Sequence, residues 1–197
     1  MSLTYARPRK RTHLAIMEAT IELLHEPDRK KLTITAIADR ADVGRGTFYR
    51  YFDDVDAVLF AIFTHYFDLL DAEIQAVMAR HESPDKERYA WRAVFSNTKR
   101  LFPTLQRIRQ VQSDSLQVQL ADTMTKRFRQ SLEKGNFAYP QWMDLPIDVM
   151  TYFSAGAVNN IIQHWLNGEL DYDSDTLGDM VWRLLYHAPI KGDEGEK

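Results

Sequence analysis

Leu32–Leu59 reads LTITAIADRADVGRGTFYRYFDDVDAVL, a pattern that two short helices meeting across a turn would produce. Thr33 is placed to cap a helix over Ile34–Ala41, since its hydroxyl can accept a hydrogen bond from a backbone N–H in the first turn. Asp42-Val43-Gly44 forms the turn, and a further helix fits Arg45–Phe52. Asp42 falls where such a turn needs a left-handed residue, which Asp tolerates better than most side chains. Gly44 is then the N-cap of the next helix. Ile37, Ala38, Ala41, Val43, Phe48 and Phe52 supply a small apolar interface that sets the angle between the two helices. That leaves Arg45, Thr47, Tyr49, Arg50 and Tyr51 facing outward. Such a face offers guanidinium donors for guanine edges, a methyl-bearing hydroxyl for thymine and phenols for phosphate oxygens.

Outward from this run the chain reads as helix nearly throughout, with apolar residues at 3.6-residue spacing and no sustained alternation. A first helix fits His13–His25, with Leu14, Met17, Ile21 and Leu24 on one face and Pro27 ending it. A long fourth helix fits about 54–80 and turns Val58, Ile62, Tyr66, Leu69 and Leu70 inward. Ser83 and Pro84 open a fifth, which Pro103 should interrupt near Leu101 and restart toward Gln110. Helices then fit 113–133, stopped by Gly135 and Asn136, and 146–166, ended by Gly168, with a last one over 174–187. Residues 136–145 read as a loop. The expectation is an all-α chain of about nine helices. Residues 1–52 form a three-helix, helix-turn-helix domain, residues 53–197 a helical second domain, and the fourth helix couples the two rigidly.

Bulk properties fit this reading. The 197 residues are 45% hydrophobic, a normal share for a packed protein. There is no cysteine, which removes disulfides, thiolate metal sites and cysteine nucleophiles. The opening MSLTYARPRKRTHL is basic but lacks the apolar core of a signal peptide. No apolar run approaches the roughly 20 residues that span a bilayer, so a cytoplasmic protein without a membrane role is expected. The formal net charge of −3 is unevenly divided. Residues 1–52 hold 10 Lys and Arg against 6 Asp and Glu, a balance of +4, and the remainder carries 15 against 22, a balance of −7. A basic module joined to an acidic body suits binding of a polyanion at one end.

Thr33-x-x-x-Ile37-Ala38, followed by Ala41-x-Val43-x-x-Gly46-Thr47-x-Tyr49-x-Tyr51-Phe52, resembles the DNA-binding signature of TetR-type transcription regulators. The resemblance covers roughly residues 10–60. It implies a two-fold homodimer that reads a palindromic operator in double-stranded DNA. It also implies a C-terminal part that binds a small-molecule effector, with repression as the family's commoner habit. On that footing Arg45, Thr47 and Arg50 are expected at base edges, and Thr33, Tyr49 and Tyr51 at phosphates, around Gly46. Arg9 and Lys10, with Arg7 and Arg11, would reach a backbone or the minor groove. Three positions depart from the family pattern: Asp42 stands where Gly is usual, Gly44 where Ser is usual, and Val55 where Lys usually meets phosphate. Tyr152-Phe153-Ser154-Ala155-Gly156 and the closing helix pair resemble a sub-group related to the dihydroxyacetone-kinase activator.

In the C-terminal part, Phe60, Phe63, Phe67, Trp91, Phe95, Phe102, Leu116, Leu120 and Met124 could line an apolar effector pocket. Ordinary core packing is the competing account of the same spacing. Met150, Phe153, Ala157 and Ile161 make one apolar stripe, and Leu177, Val181, Leu184 and Leu185 another. Together they could form a dimer seam, with Ala155, Gly156 and Ala157 permitting close approach. The six histidines include no i,i+4 pair, so no metal site is expected. Gly44-Arg45-Gly46-Thr47 lacks the length and lysine of a phosphate-cradling loop, and no nucleophile elbow is present, so neither enzyme activity nor a cofactor is expected. Two other readings compete with an effector-controlled reader of DNA. One is a co-activator or adaptor of the same fold, controlled by a protein partner. The other is a helical binding module without a DNA role.

Overall fold

The structure is a computed structural model and describes residues 8–26, 31–82, 85–135 and 145–186. Eight α-helices make up the described chain: α1 (Pro8–Leu24), α2 (Ile34–Arg40), α3 (Arg45–Tyr49), α4 (Val55–Met78), α5 (Asp85–Val111), α6 (Asp114–Glu133), α7 (Ile147–Leu166) and α8 (Ser174–Tyr186). The chain divides into two compact units, Met1–Asp68 with Leu101–Ala121 and Leu69–Arg100 with Asp122–Lys197. The long helices α4, α5 and α6 contribute residues to both.

The count is eight among the described residues, not nine, because Pro103 lies inside a continuous α5. The proline ring removes the intrahelical bond to the carbonyl of Lys99, a cost of about 3 kcal/mol in an isolated helix. Burial of Thr104 and Ile108 just beyond it holds the helix together, so packing overrides the local preference. The first helix also begins earlier than expected, with Pro8 at its opening position, where a missing N–H costs nothing. The loop expected over 136–145 lies outside the described residues except at Leu145.

In the first unit the core is made by Ile16, Met17, Leu23 and Leu24 of α1, Ile37 and Ala38 of α2, Phe48 and Phe52, and Val58, Leu59, Ile62 and Phe63 of α4. Two hydrogen bonds bring the α5–α6 corner into it. His25 Nε2 lies 3.0 Å from Thr104 Oγ1. Ser113 donates to the Asp56 carboxylate while its own Oγ accepts from Leu116 N–H at 3.1 Å, capping α6.

The second unit packs α7 and α8 around Trp91 and Phe95 of α5, with Ile74, Leu132, Val158, Trp165, Leu177 and Val181. Leu69, expected in a core, is exposed; Leu70 beside it packs against this cluster instead. Helix α8 approaches α5 closely at Gly178. A Cβ there would lie 2.8 Å from the backbone of Arg92. Next to it, Asp179 accepts from both Arg88 Nε, at 2.8 Å, and Arg92 Nε, at 2.7 Å. The two guanidiniums hold the Asp179 carboxyl far below the usual carboxylate range. Among the described residues no helix is long and apolar enough to cross a membrane.

Candidate nucleic-acid interface

Helix α2 starts as the sequence requires. Thr33 is extended, at φ −131° and ψ 149°, and its hydroxyl accepts from Ala36 N–H at 3.2 Å. Asp42 adopts φ 52°, the left-handed conformation expected of it. The turn is closed by Val43 N–H donating to the Ala38 carbonyl at 3.0 Å. Gly44 is the N-cap of α3 and makes no side-chain capping bond.

Regular helix ends at Tyr49, three residues before Phe52. The chain nonetheless stays coiled, because Tyr51 and Phe52 N–H both donate to the Phe48 carbonyl, at 2.9 and 3.1 Å. Helix ends fray by a residue or two in this way. Phe48 and Phe52 are buried with ring centroids 6.0 Å apart, and His13 of α1 stacks on Phe52 at 4.7 Å. Burial, and then the charge of His65, lower the His13 pKa.

With Phe48 and Phe52 anchored, the opposite side of α3 faces out. Arg45, Gly46, Tyr49 and Arg50 are exposed, and Thr47 and Tyr51 are half-buried. Arg50 donates to Thr47 Oγ1 at 3.2 Å, so these two residues share one surface. Gly46 has no atom within 4 Å of where a Cβ would sit. Among the described residues its lack of a side chain therefore serves no packing need, and it leaves room for close approach from outside. Lys10 and Arg11 are exposed on α1, and the side chain of Arg9 lies outside the described residues.

Two features of this unit escape a reading of α3 alone. Arg40, the one cation at the end of α2, is held by Glu26 and by Glu22 of α1, the latter at 3.2 Å. It ties α1 to α2. The i,i+4 spacing of Glu22 and Glu26 is the signal that could have found it. The acidic run after Phe52 also has local work: Asp54 accepts from Ala57 N–H at 2.7 Å and caps α4, and Asp56 accepts from Ser113. Negative charge there suits the helix dipole, which accounts for the carboxylates on either side of Val55.

The aromatic pocket candidates are distributed between the two units. Phe63 and Phe67 stack on each other at 4.7 Å in the first, which also holds Phe102 and the buried Leu116 and Leu120. Trp91 and Phe95 belong to the second unit's core, 1% and 0% exposed, with Phe95 edge-on to Trp165 at 5.7 Å. Met124 is half-buried in that unit.

The stripes proposed for a seam are divided by burial. Met150, Leu177 and Val181 point into the core of their own unit, Ala157 and Ile161 are half-buried, and Phe153 and Leu184 are exposed. The apolar residues left outside on α7 and α8 are Val149, Tyr152, Phe153, Met180 and Leu184, with Tyr152 71% exposed. Gly156 sits on the same exposed side with nothing within 4 Å. Phase explains the difference: the helix face that looks most apolar is the one its own unit consumes.

Residues 16–62 match the family described as bacterial regulatory proteins, tetR family. No curated protein sequence matches significantly. Among solved structures, the fatty acid degradation regulator FadR from Bacillus halodurans is similar at 19% identity and a TM-score of 0.64, over 98% of this chain and 100% of that one. The dihydroxyacetone kinase operon activator DhaS is similar at 16% identity and a TM-score of 0.56, over 88% and 93%. RolR in complex with resorcinol is similar at 22% identity and a TM-score of 0.57, over 91% of each chain. At these identities the likeness is one of fold.

Proposed function

From the premise that the chain carries a tetR-family helix-turn-helix domain on a fold shared with TetR-family transcription regulators, we propose that it is a DNA-binding regulator and not an enzyme. It binds a palindromic operator as a homodimer in the cytoplasm, represses by occupying it, and is released by a small molecule. Residues 1–52 read the DNA; residues 53–197 bind the effector and dimerise.

The observation that carries the reading is the arrangement around α3. Two buried rings, Phe48 and Phe52, present Arg45, Thr47, Tyr49 and Arg50 on the opposite side of one exposed turn and a half. An α-helix of this kind fits the major groove, where Arg can pair bidentately with guanine and Thr can contact a thymine methyl. Tyr49, Tyr51 and Thr33 are assigned to phosphates and Lys10 and Arg9 to the flanking backbone, contacts that position without specifying sequence. The exposed apolar side of α7 and α8, with Val149, Tyr152, Phe153 and Leu184, supports dimerisation. A two-fold dimer would set two copies of α3 about one helical turn of DNA apart. A small-molecule effector is supported by the neighbours that are a fatty acid degradation regulator and a regulator bound to resorcinol.

Selection of the purified protein on a random double-stranded DNA library tests this, with the Arg50→Ala, Tyr51→Ala double variant alongside. Enrichment of a palindrome by the wild type and not by the variant is expected. A folded dimer that enriches no sequence would overturn the reading in favour of a helical binding module without a DNA role.

A further inference from the structure

Three segments of the first unit meet at His13. Its ring, on α1, stands 4.7 Å from the ring of Phe52 and edge-on to Tyr51 at 6.4 Å, both just past the end of α3. From α4 the charge of His65 reaches it and, after burial, works against its protonation. His13 is half-buried, so part of the ring stays open to solvent. Lys10 precedes it by three residues on α1, the spacing of one helix face, and is exposed. His13 therefore neighbours two residues, Lys10 and Tyr51, that the proposed function assigns to phosphates. Among the described residues no carboxylate is paired with its ring. Of the acids that follow Phe52, Asp54 accepts from Ala57 N–H, Asp56 from Ser113, and Asp53 is exposed. A histidine so placed gains most from an anion that arrives from outside the chain.

We propose that His13 is a further phosphate contact of the reading head, one that takes up a proton as DNA binds, so that acidification strengthens binding. This assignment rests on the reading above of the chain as a DNA binder. In the free protein, burial and His65 favour the neutral ring. A phosphate beside Tyr51 and Lys10 favours the imidazolium instead, which takes its proton from solvent and then donates from both ring nitrogens. The coupling is reciprocal: an anion that promotes protonation is itself bound more tightly by the protonated form. Of the three residue types meeting there, only histidine ordinarily changes charge near neutral pH.

Phosphate contacts carry no sequence requirement, so a labelled duplex of mixed sequence, about 20 bp long, is a sufficient probe. Fluorescence anisotropy with the full chain at pH 6.0 and 7.5, at one ionic strength, measures the effect. The wild type should bind about threefold or more tightly at pH 6.0 than at 7.5. His13→Phe keeps a ring against Phe52 but accepts no proton, and should lose most of that difference. His13→Arg, whose charge is permanent and whose guanidinium can stack on a ring, should bind at pH 7.5 about as tightly as the wild type does at pH 6.0. His25→Gln, at the far end of α1 and bonded to Thr104, should keep the wild-type response. Equal wild-type affinity at the two pH values, an undiminished response in His13→Phe, or no gain in His13→Arg at pH 7.5 would overturn the role of His13 and leave DNA binding standing. No duplex binding at either pH would overturn both.

Discussion

At the scale of single residues, Thr33 caps α2, and the proposed function also assigns its hydroxyl to phosphate. Its hydroxyl caps α2 now, and it is exposed toward the side assigned to phosphate. Thr33→Ala should lose about 1 kcal/mol of stability, the usual worth of a Ser or Thr N-cap. For a chain of this length that is a fall of about 3 °C in Tm. Thr33→Ser should restore both the Tm and operator affinity. Calorimetry of the two variants checks this, and an unchanged Tm in Thr33→Ala would remove the cap from the account. Asp42 is a case where chain chemistry sufficed: a turn between two helices needs one left-handed residue, and of Asp42-Val43-Gly44 the aspartate takes it at φ 52°, while Gly44 stays at φ −70° as an N-cap.

At the scale of elements, the α5–α8 contact makes a pH-dependent contribution. The Asp179 carboxyl is lowered first by its hydrogen bonds to Arg88 and Arg92 and then by their charge, against an opposing effect of burial. A carboxyl whose folded pKa lies below its unfolded one contributes stability that is complete above the unfolded value. That stability is lost as pH falls toward the folded value. Stability should therefore hold from neutrality to about pH 5 and decline below about pH 4, near the ordinary aspartate value. Asp179→Asn should cost about 2 kcal/mol at pH 7, because two guanidiniums lose their shared partner, and it should flatten the decline in acid. Denaturant unfolding across pH 3–7 measures both; parallel curves for the two proteins would refute the assignment. The same contact shows where close approach occurs. The run Ala155-Gly156-Ala157 looks suited to it, but Gly156 has open space around it, and Gly178 is the glycine against which a neighbouring backbone packs.

At the scale of the whole molecule, the proposed dimer is tested at the apolar residues that α7 and α8 leave outside. Phe153 is 59% exposed and Tyr152 more so, an expensive surface for a monomer to present to water. By analytical ultracentrifugation the wild type should sediment as a dimer, and Phe153→Glu with Tyr152→Glu as a monomer. Each monomer should stay folded, because neither side chain belongs to its core. A wild type that sediments as a monomer would contradict the seam. Met150, Leu177 and Val181 are unsuitable for such a test, since a charge at any of them would unfold the unit before it reported on assembly.

Local chemistry by itself determined the all-α class, the helix-turn-helix at Leu32–Leu59, its Thr33 cap, its left-handed Asp42 and the outward set on α3, because capping, turn conformation and 3.6-residue periodicity act over a few residues. The tertiary structure alone decided that α5 runs through Pro103, that α8 closes on α5 at Gly178, and that Phe153 and not Met150 lies outside. Each of these depends on which distant helix covers a given face, and periodicity shows that a face is apolar or polar without showing what packs against it.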